Sequence, residues 1–578
     1  MIKEYTISNF KAFSTPATLP IKPITLIYGA NSAGKSSIFQ SLLMLKQTKE
    51  KYGGDEDAFI LNGTYTELSS FNKIMHNNDM DKEITIRFCF HADSMEDYYL
   101  SFKMPRKTKM IKDIIQNDYG YIGVENVFKV NKESHFVLKE SSLIIGENNA
   151  PIIQYIINDY SKSVEIKVNK DHPFWDNYWN LFGETCTLNI INSINSMLLL
   201  NKDILSNLDQ DSEDNNDNTN EKHNLECRIA IDKDEDGKYS NIVEFKENID
   251  KNIRIDQSQM IDLFEKYFLL PEDTSHPKLI YETLPFYYGE YYIINYCTKD
   301  GISEDNEVYT EDIFEGLNFN NDKYYYSENL SIFLMISNHL VEKFVKEMQY
   351  IGPFRKFTNE FETCNDDQME ISVDEDKTVI EKYLFKKDNV LHKVNKKLEK
   401  LNIDYNISFK QLSWDSDNNI RKYSIIVSKN HSGLQTLMKD VGFGISQVIP
   451  IVVQCIISSA EPIIIEQPEL HLHPALQSEL GDLFIDSAMQ KKNTLLIETH
   501  SEHILLRIMR RIRETTNGTL PEGVTPIRAE DVSVVYVESV ETDGDRHSII
   551  REMPLNDQGE LVKAWPGGFF EEGLREVF

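Results

Sequence analysis

The chain has 578 residues, 40% hydrophobic and 27% charged, with 61 Lys and Arg against 93 Asp and Glu and a formal net charge of −32. That length exceeds one ordinary core and predicts two or three domains. Such acidity opposes indiscriminate nucleic-acid binding, which depends on Lys and Arg neutralising phosphates, so any DNA contact is expected to be local.

No run of eighteen apolar residues occurs, and Met1-Ile2-Lys3-Glu4-Tyr5 carries no signal-peptide pattern, so no membrane partner and a cytoplasmic location are expected. The six cysteines (Cys89, Cys186, Cys227, Cys297, Cys364 and Cys455) include no CxxC pair, which fits reduced thiols better than disulfides or a structural zinc.

Residues 5–10, 18–21 and 24–28 read as short strands, the last an apolar, partly β-branched run. It leads into Gly29-Ala30-Asn31-Ser32-Ala33-Gly34-Lys35-Ser36, a GxxxxGKS phosphate loop, followed by an amphipathic helical pattern over 36–46. The backbone N–H groups of Asn31 to Ser37 would surround the phosphates at the helix N-terminus, Lys35 would reach the β- and γ-phosphates, and the Ser36 hydroxyl would ligate Mg²⁺. Alternating Ile84, Ile86 and Phe88 predict another strand over 84–90.

From 105 to 350 the sequence turns rich in Asn, Tyr, Ile and Asp and carries no recognisable chemistry; no heptad holds, and the stretch 209–224 is polar enough to be a disordered acidic loop. Tyr350-Ile351-Gly352-Pro353-Phe354-Arg355 reads as a strand end and turn, with Arg355 a secondary candidate for an anion. Val390, Val394, Leu398 and Leu401 mark one face of a helix whose other face carries Lys393, Lys396, Lys397 and Lys400, a pattern usual for a solvated side. Two strands are predicted over 405–409 and 423–427.

Asp440-Val441-Gly442-Phe443-Gly444-Ile445-Ser446 is a glycine-rich turn, with Ser446 predicted as the N-cap of an apolar helix and Pro450 in its first turn. It forms a second anion site, and since the phosphate loop already supplies one, it would serve the nucleotide of a second copy. Next, Ile463-Ile464-Ile465-Glu466-Gln467-Pro468-Glu469 is an apolar strand ending in a carboxylate, and Thr494-Leu495-Leu496-Ile497-Glu498-Thr499-His500 is a strand ending at a histidine. Arg507, Arg510, Arg511 and Arg513 come after it on a helix, either facing DNA or pairing with acidic neighbours. Asp543-Gly544-Asp545 reads as a hairpin turn between strands at 532–540 and 547–552, in preference to a nuclease motif.

Phosphate loop, glycine-serine turn, acidic strand and histidine strand, in this order, resemble an ABC-type ATPase head of the SMC, RecF and OLD branch. Residues 466–474 together with Trp565-Pro566-Gly567-Gly568-Phe569-Phe570 resemble AAA-type ATPases with a short C-terminal domain of unknown function, related to ATPase subunits of anti-phage systems such as Septu, PARIS, Gabija and certain retrons.

The resemblance implies an α/β fold, an ABC-type P-loop head assembled from both chain ends around a mixed α/β or helical insertion. Its segments would be 1–104, an insertion at 105–350, a C-terminal lobe at 351–525 and a small domain at 526–578. ATP and Mg²⁺ would be the cofactors, with Ser36 and Glu466 on Mg²⁺, Gly444 and Ser446 on the γ-phosphate of an opposing protomer, His500 as the γ-phosphate switch and His473 at the dimer interface.

The position after the Walker B acid, a glutamate in ABC heads, is Gln467, which orients water but cannot accept its proton; Glu469 is the nearest substitute, and slow hydrolysis is expected. The implied role is an ATP-dependent homodimer or higher homo-oligomer that senses or regulates an effector such as a nuclease. The alternative is a DNA-repair or chromosome-associated ATPase that clamps nucleic acid itself. A transporter subunit fits the long insertion poorly, and a separate metal cluster of His471, His473, His500, Glu502 and His503 is explained away by their places around the nucleotide site.

Overall fold

The computed structural model describes residues 2–51, 58–95, 111–132, 135–146, 150–158, 163–169, 172–174, 226–233, 239–247, 249–254, 328–353, 362–365, 388–415, 420–430, 432–542 and 544–568. The acidic stretch 209–224, Arg355, Phe569 and Phe570 lie outside the described residues. Two compact units emerge: Met1–Cys89, Phe128–Val137 and Glu342–Phe578 make the first, and Phe90–Val127 with Leu138–Val341 the second.

The first unit begins with β1 (Ile2–Ser8) paired antiparallel to β2 (Ala17–Pro20), then β3 (Ile24–Gly29) and the helix Lys35–Lys51; β4 (Ile84–His91) lies beside β1. The helix was expected to be amphipathic, yet it is buried on nearly every side. Phe39, Leu42, Met44 and Leu45 are fully enclosed, and so are the polar Ser41, Gln47 and Thr48.

Each of those polar groups is satisfied inside, as burial without a partner would be costly. Ser41 meets the Tyr5 hydroxyl at 2.8 Å, the Gln47 amide donates to the Ile60 carbonyl and accepts from the Thr66 N–H, and Thr48 accepts from the Ile60 N–H. The helix therefore fixes the segment 58–68, whose end forms part of a cleft wall.

The second unit is mostly strand where it is described. β5 (Tyr121–Val130), β6 (Phe136–Ile145), β7 (Pro151–Asn158) and β8 (Ser163–Val168) succeed one another in a sheet, antiparallel from β6 to β8. β9 (Glu226–Lys233), β10 (Tyr239–Glu247) and β11 (Ile249–Arg254) form a separate antiparallel meander.

Back in the first unit come β12 (Gln349–Ile351), β13 (Glu362–Asn365), β14 (Tyr405–Asp415), β15 (Ile420–Lys429), β16 (Gln435–Leu437), β17 (Pro462–Glu466), β18 (Thr494–Glu498), β19 (Val532–Thr542) and β20 (Asp545–Glu552). The strands β13 to β16 pair antiparallel into a side sheet in which β15 contacts the other three. Against the same core packs the helix Asp388–Lys400 through Val394 and Leu398; of its lysines, Lys397 bonds Asp486 at 2.5 Å and Lys393, Lys396 and Lys400 are exposed.

The central sheet runs β12-β17-β18-β3-β19-β20, parallel from β12 to β19 with β20 antiparallel at the edge. Ile463, Ile465, Leu495, Ile497, Ile24 and Leu26 are all fully buried, as expected of parallel strands covered on both faces. The phosphate-loop strand from the N-terminal end thus lies between two strands from the C-terminal end. Residues 526–578, expected as a small domain, place β19 directly beside β3 and close the sheet with β20.

The described residues include no helix long and apolar enough to cross a membrane.

Candidate functional site

Parallel strands deliver their carboxyl ends to one edge of a sheet, where open α/β sheets bind ligands. Glu466 is level with Glu498, and Glu498 with Ile27, so the ends of β17 and β18 stand beside the loop that leaves β3. There a cleft of about 870 Å³ opens, lined by Asn31, Ser32, Gly34, Lys35, Ser36 and Ser37 on one side and by Gln467, Glu498 and His500 on the other. Both ends of the chain therefore contribute to one cavity. Lys11, Glu67, Ser69, Lys73 and Asn77 complete its rim.

The phosphate loop is shaped by two left-handed residues, Ser32 at φ 62° and Gly34 at φ 96°. A Cβ on Gly34 would come within 2.7 Å of the Ala12 Cβ and 2.8 Å of the Ser548 Oγ, so only glycine fits. Ser548, on β20, holds the loop from below: its hydroxyl donates to the Ala33 carbonyl at 2.7 Å and its N–H to the Ala12 carbonyl at 2.7 Å. Ala33 is buried in that contact.

Lys35 is buried, its ammonium donating to the Gly29 and Ala30 carbonyls at 2.9 and 3.0 Å and standing 3.9 Å from the Glu498 carboxylate. The Ser36 hydroxyl donates to the other Glu498 oxygen at 3.3 Å. Burial pushes the Lys35 ammonium down and the Glu498 carboxyl up, each shift opposed by the charge of the other. Glu498 is 3% exposed. It was not among the predicted site residues, although an apolar run ending in a carboxylate is the same signal that singled out Glu466.

The expected acids occupy other places. Glu466 accepts a hydrogen bond from the Tyr350 hydroxyl at 3.0 Å and is not among the described residues that line the cleft. Glu469 accepts from the Thr499 hydroxyl and the His500 N–H, both at 2.7 Å, tying the loop after β17 to the end of β18. Gln467 faces the cleft with φ 45°, and its N–H donates to the Glu498 carbonyl at 2.8 Å. His500 lines the cleft as well; burial, then the charge of Lys35, pushes its imidazole below the usual range.

The signature turn differs in detail from the expectation. The helix spans Phe443–Ile457 with Gly442 as N-cap, so Ser446 lies inside the first turn, its N–H already bonded to the Gly442 carbonyl, and Pro450 stands in the helix interior. A Cβ on Gly444 would meet the His471 carbonyl at 2.9 Å, which brings this helix start against the loop 467–473. His473 is exposed and caps the helix Pro474–Lys491 by accepting from the Ala475 N–H.

The arginines on helix Glu502–Thr516 are engaged by protein groups. Arg507 bonds Asp482 and Glu479, Arg511 bonds Asp482 and Glu514, Arg510 bonds Glu514, and Arg513 donates to the Gln558 carbonyl.

A central parallel strand feeding a GKS loop and a helix, with the acid-ended β18 beside it and the acid-ended β17 one strand further out, defines an α/β P-loop ATPase head built from both chain ends. The AAA ATPase domain family matches residues 1–505, and the chain belongs to that family. Residues 527–578 match a protein of unknown function (DUF3696). No curated protein matches the chain.

Among solved structures, the SMC head domain from Thermotoga maritima is 8% identical, with 96% of this chain and 99% of that one covered and a TM-score of 0.31. The Smc head domain with an extended coiled coil bound to the C-terminal domain of ScpA, from Pyrococcus furiosus, is 10% identical over 100% and 98% of the two chains, with a TM-score of 0.34. The Smc head domain with a coiled coil and joint from Pyrococcus yayanosii is 11% identical over 96% and 98%, also at 0.34.

Proposed function

We propose that this ATPase binds ATP with Mg²⁺ in the cleft, that two copies close head to head around nucleotide, and that the closed form switches an effector protein, a nuclease, in anti-phage defence. The observation that carries the reading is the single cleft that joins Lys35 and Ser36 to Gln467 and His500. Mg²⁺ would neutralise the phosphates, and the Ser36 hydroxyl beside a buried carboxylate suits a hard cation that prefers oxygen ligands.

Lys35 binds the β- and γ-phosphates, and His500 senses the γ-phosphate. Gly444 and Ser446 reach the nucleotide of the opposing copy, with His473 at the interface. Gln467 orients the attacking water without accepting its proton, which makes hydrolysis slow and the closed dimer long-lived. The DNA-clamping alternative had its basic face on the helix Glu502–Thr516, and the ion pairs there weigh against it.

The test is solution mass by light scattering, with and without Mg·ATP, on the wild type and Lys35→Ala, each co-expressed with the product of the neighbouring gene. The expected result is an ATP-dependent doubling of mass and co-elution of that product with the wild type alone. A wild-type mass that ignores ATP, or a Lys35→Ala protein that dimerises equally well, refutes the switch.

A further inference from the structure

The resemblance to ABC heads puts Glu466 on the Mg²⁺ side of the nucleotide but supplies nothing that aims its carboxylate. The geometry points to Tyr350: we infer that its hydroxyl fixes the Glu466 carboxylate in the orientation from which the acid holds the water shell of the nucleotide's Mg²⁺. This assignment rests on the ATP-binding reading.

Strand register supplies the first reason. β12 runs parallel to β17 with Tyr350 level with Ile464, two residues before Glu466. Paired residues share a face and side chains alternate along a strand, so Tyr350, Ile464 and Glu466 all point the same way. Ile463 and Ile465 belong to the core on the opposite side. Glu498, level with Glu466, meets the Ser36 hydroxyl, so the shared face is that of the phosphate-loop helix. Two residues of strand rise about 6.6 Å, a span that a tyrosine covers and a short side chain does not. The phenol arrives 3.0 Å from Glu466 Oε1.

The second reason is that the ring is held in place for this contact. A Cβ on Gly352 would stand 2.9 Å from the Tyr350 hydroxyl and 3.3 Å from its Cζ, so the glycine leaves the room the phenol occupies. Tyr65 packs edge-on against the ring at 6.4 Å. Tyr65 in turn donates to Glu50 at 3.1 Å, and the Lys46 ammonium lies 5.2 Å from its ring centre and 2.7 Å from Glu50. Lys46 also donates to the Lys346 carbonyl at 3.2 Å, and Lys49 pairs with Glu342 at 3.4 Å, which ties the segment leading into β12 to the same helix. That helix begins at Lys35. One element thus carries the phosphate-binding lysine at its start and the support of Tyr350 in its later turns.

The third reason is the kind of donor. A neutral phenol aims a carboxylate without cancelling its charge, whereas Lys or Arg would take the charge that a cation needs. Glu466 is not among the described residues that line the cleft. Mg²⁺ dehydrates reluctantly and keeps several waters, so an acid held behind the wall acts through them. Groups that orient a metal-side carboxylate are worth roughly 10–100-fold in metal affinity.

The experiment uses the full chain as wild type, Tyr350→Phe, Gly352→Ala, Glu466→Gln and the double variant Tyr350→Phe with Glu466→Gln. Electron paramagnetic resonance gives the Mn²⁺ affinity of each protein with ATP bound, and a fluorescent ATP analogue in excess EDTA gives nucleotide affinity without metal.

The expected pattern is Mn²⁺ binding at least about tenfold weaker in Tyr350→Phe and in Glu466→Gln. Gly352→Ala weakens it too, although the tyrosine is retained, because the new methyl displaces the phenol. The double variant is no weaker than Glu466→Gln alone, since the tyrosine acts only through that acid. Tyr350→Phe keeps the wild-type affinity in EDTA, which shows that it is folded.

Wild-type or tighter Mn²⁺ binding in Tyr350→Phe overturns the assignment, as do losses that add in the double variant. Unaltered Mn²⁺ binding in Glu466→Gln overturns it as well, and so does a Tyr350→Phe protein that loses nucleotide in EDTA to the same degree as metal. A wild type that binds no nucleotide under either condition refutes the ATP-binding reading itself.

Discussion

Glu469 stands two residues beyond Gln467, and its carboxylate accepts from the Thr499 hydroxyl and the His500 N–H at 2.7 Å each. Thr499 is fully buried and its oxygen also accepts from the Ser501 N–H at 3.0 Å, so one carboxylate braces the whole exit of β18. Glu469→Ala leaves two donors unpaired. Hydrogen bonds to a charged acceptor contribute about 1.5–3 kcal/mol each, and water entering from the cleft beside His500 recovers part of that, so the net cost is about 2–4 kcal/mol.

The expected outcome is a melting temperature lower by roughly 3–6 °C and weaker nucleotide binding as His500 loses its place. Glu469→Gln retains a carbonyl oxygen as acceptor and should fall between Glu469→Ala and the wild type in both readouts. Thermal melts and nucleotide titrations on the three proteins, with steady-state turnover, decide the matter. If Glu469→Gln melts and binds like the wild type while hydrolysis disappears, Glu469 is a proton acceptor and the brace is wrong. A Glu469→Ala protein unchanged in all three assays refutes both roles.

The rim and the loop of the same cleft give two more expected outcomes. Asp545 accepts from His76 Nε2 at 2.9 Å and from the Asn77 amide at 2.8 Å, and the hydrogen bond from His76 is the main reason its carboxyl falls from 3.8 to about 2. A depressed carboxylate contributes stability above its unfolded value that is lost as pH falls through the folded one, so Asp545→Asn should lower the melting temperature at neutral pH and narrow the gap to the wild type between pH 4 and 2. Equal gaps at both ends would remove the linkage. Gly34→Ala introduces contacts of 2.7 and 2.8 Å at a positive φ. With overpacking and left-handed strain together near 3 kcal/mol, roughly 150-fold weaker ATP binding is expected by titration, and affinity within threefold of the wild type would contradict the steric reasoning.

What the sequence disclosed was local. The phosphate loop, the apolar runs of β3, β17 and β18, the lysine-faced helix at 388–400 and the β19–β20 hairpin carry their signals in consecutive residues. Their observed bounds differ from the predicted ones mainly at the ends.

What stayed hidden depends on tertiary context. Gln47 and Thr48 look like the wet side of a helix until Ile60 and Thr66 are seen bonded to them. Ser446 resembles an N-cap because it comes after glycines, yet the chain is already helical from Phe443, and the turn formed one residue after Val441. In β5 the buried Asn126 between Val124 and Phe128 interrupts the apolar alternation that would have revealed a strand. Lys11 reaches the cleft rim only because β1 ends there, which no spacing from Lys35 conveys.

The same distinction explains why Glu498 went unread beside Glu466. Both end apolar runs, and a sequence motif ranks them by their downstream neighbours, Gln467-Pro468-Glu469 against Thr499-His500. That Glu498 ends the strand lying between β17 and β3 is visible only once the sheet order is known.

The C-terminal segment enters this same geometry. β19 pairs with β3 from the other side, Trp565 packs edge-on against Tyr28 of β3 and Tyr536 of β19, and Ser548 holds the Ala33 carbonyl. The phosphate loop is thus set between Glu498 on one flank and Ser548 on the other. The β19–β20 hairpin is therefore bonded to the phosphate loop on the flank of β3 away from β18.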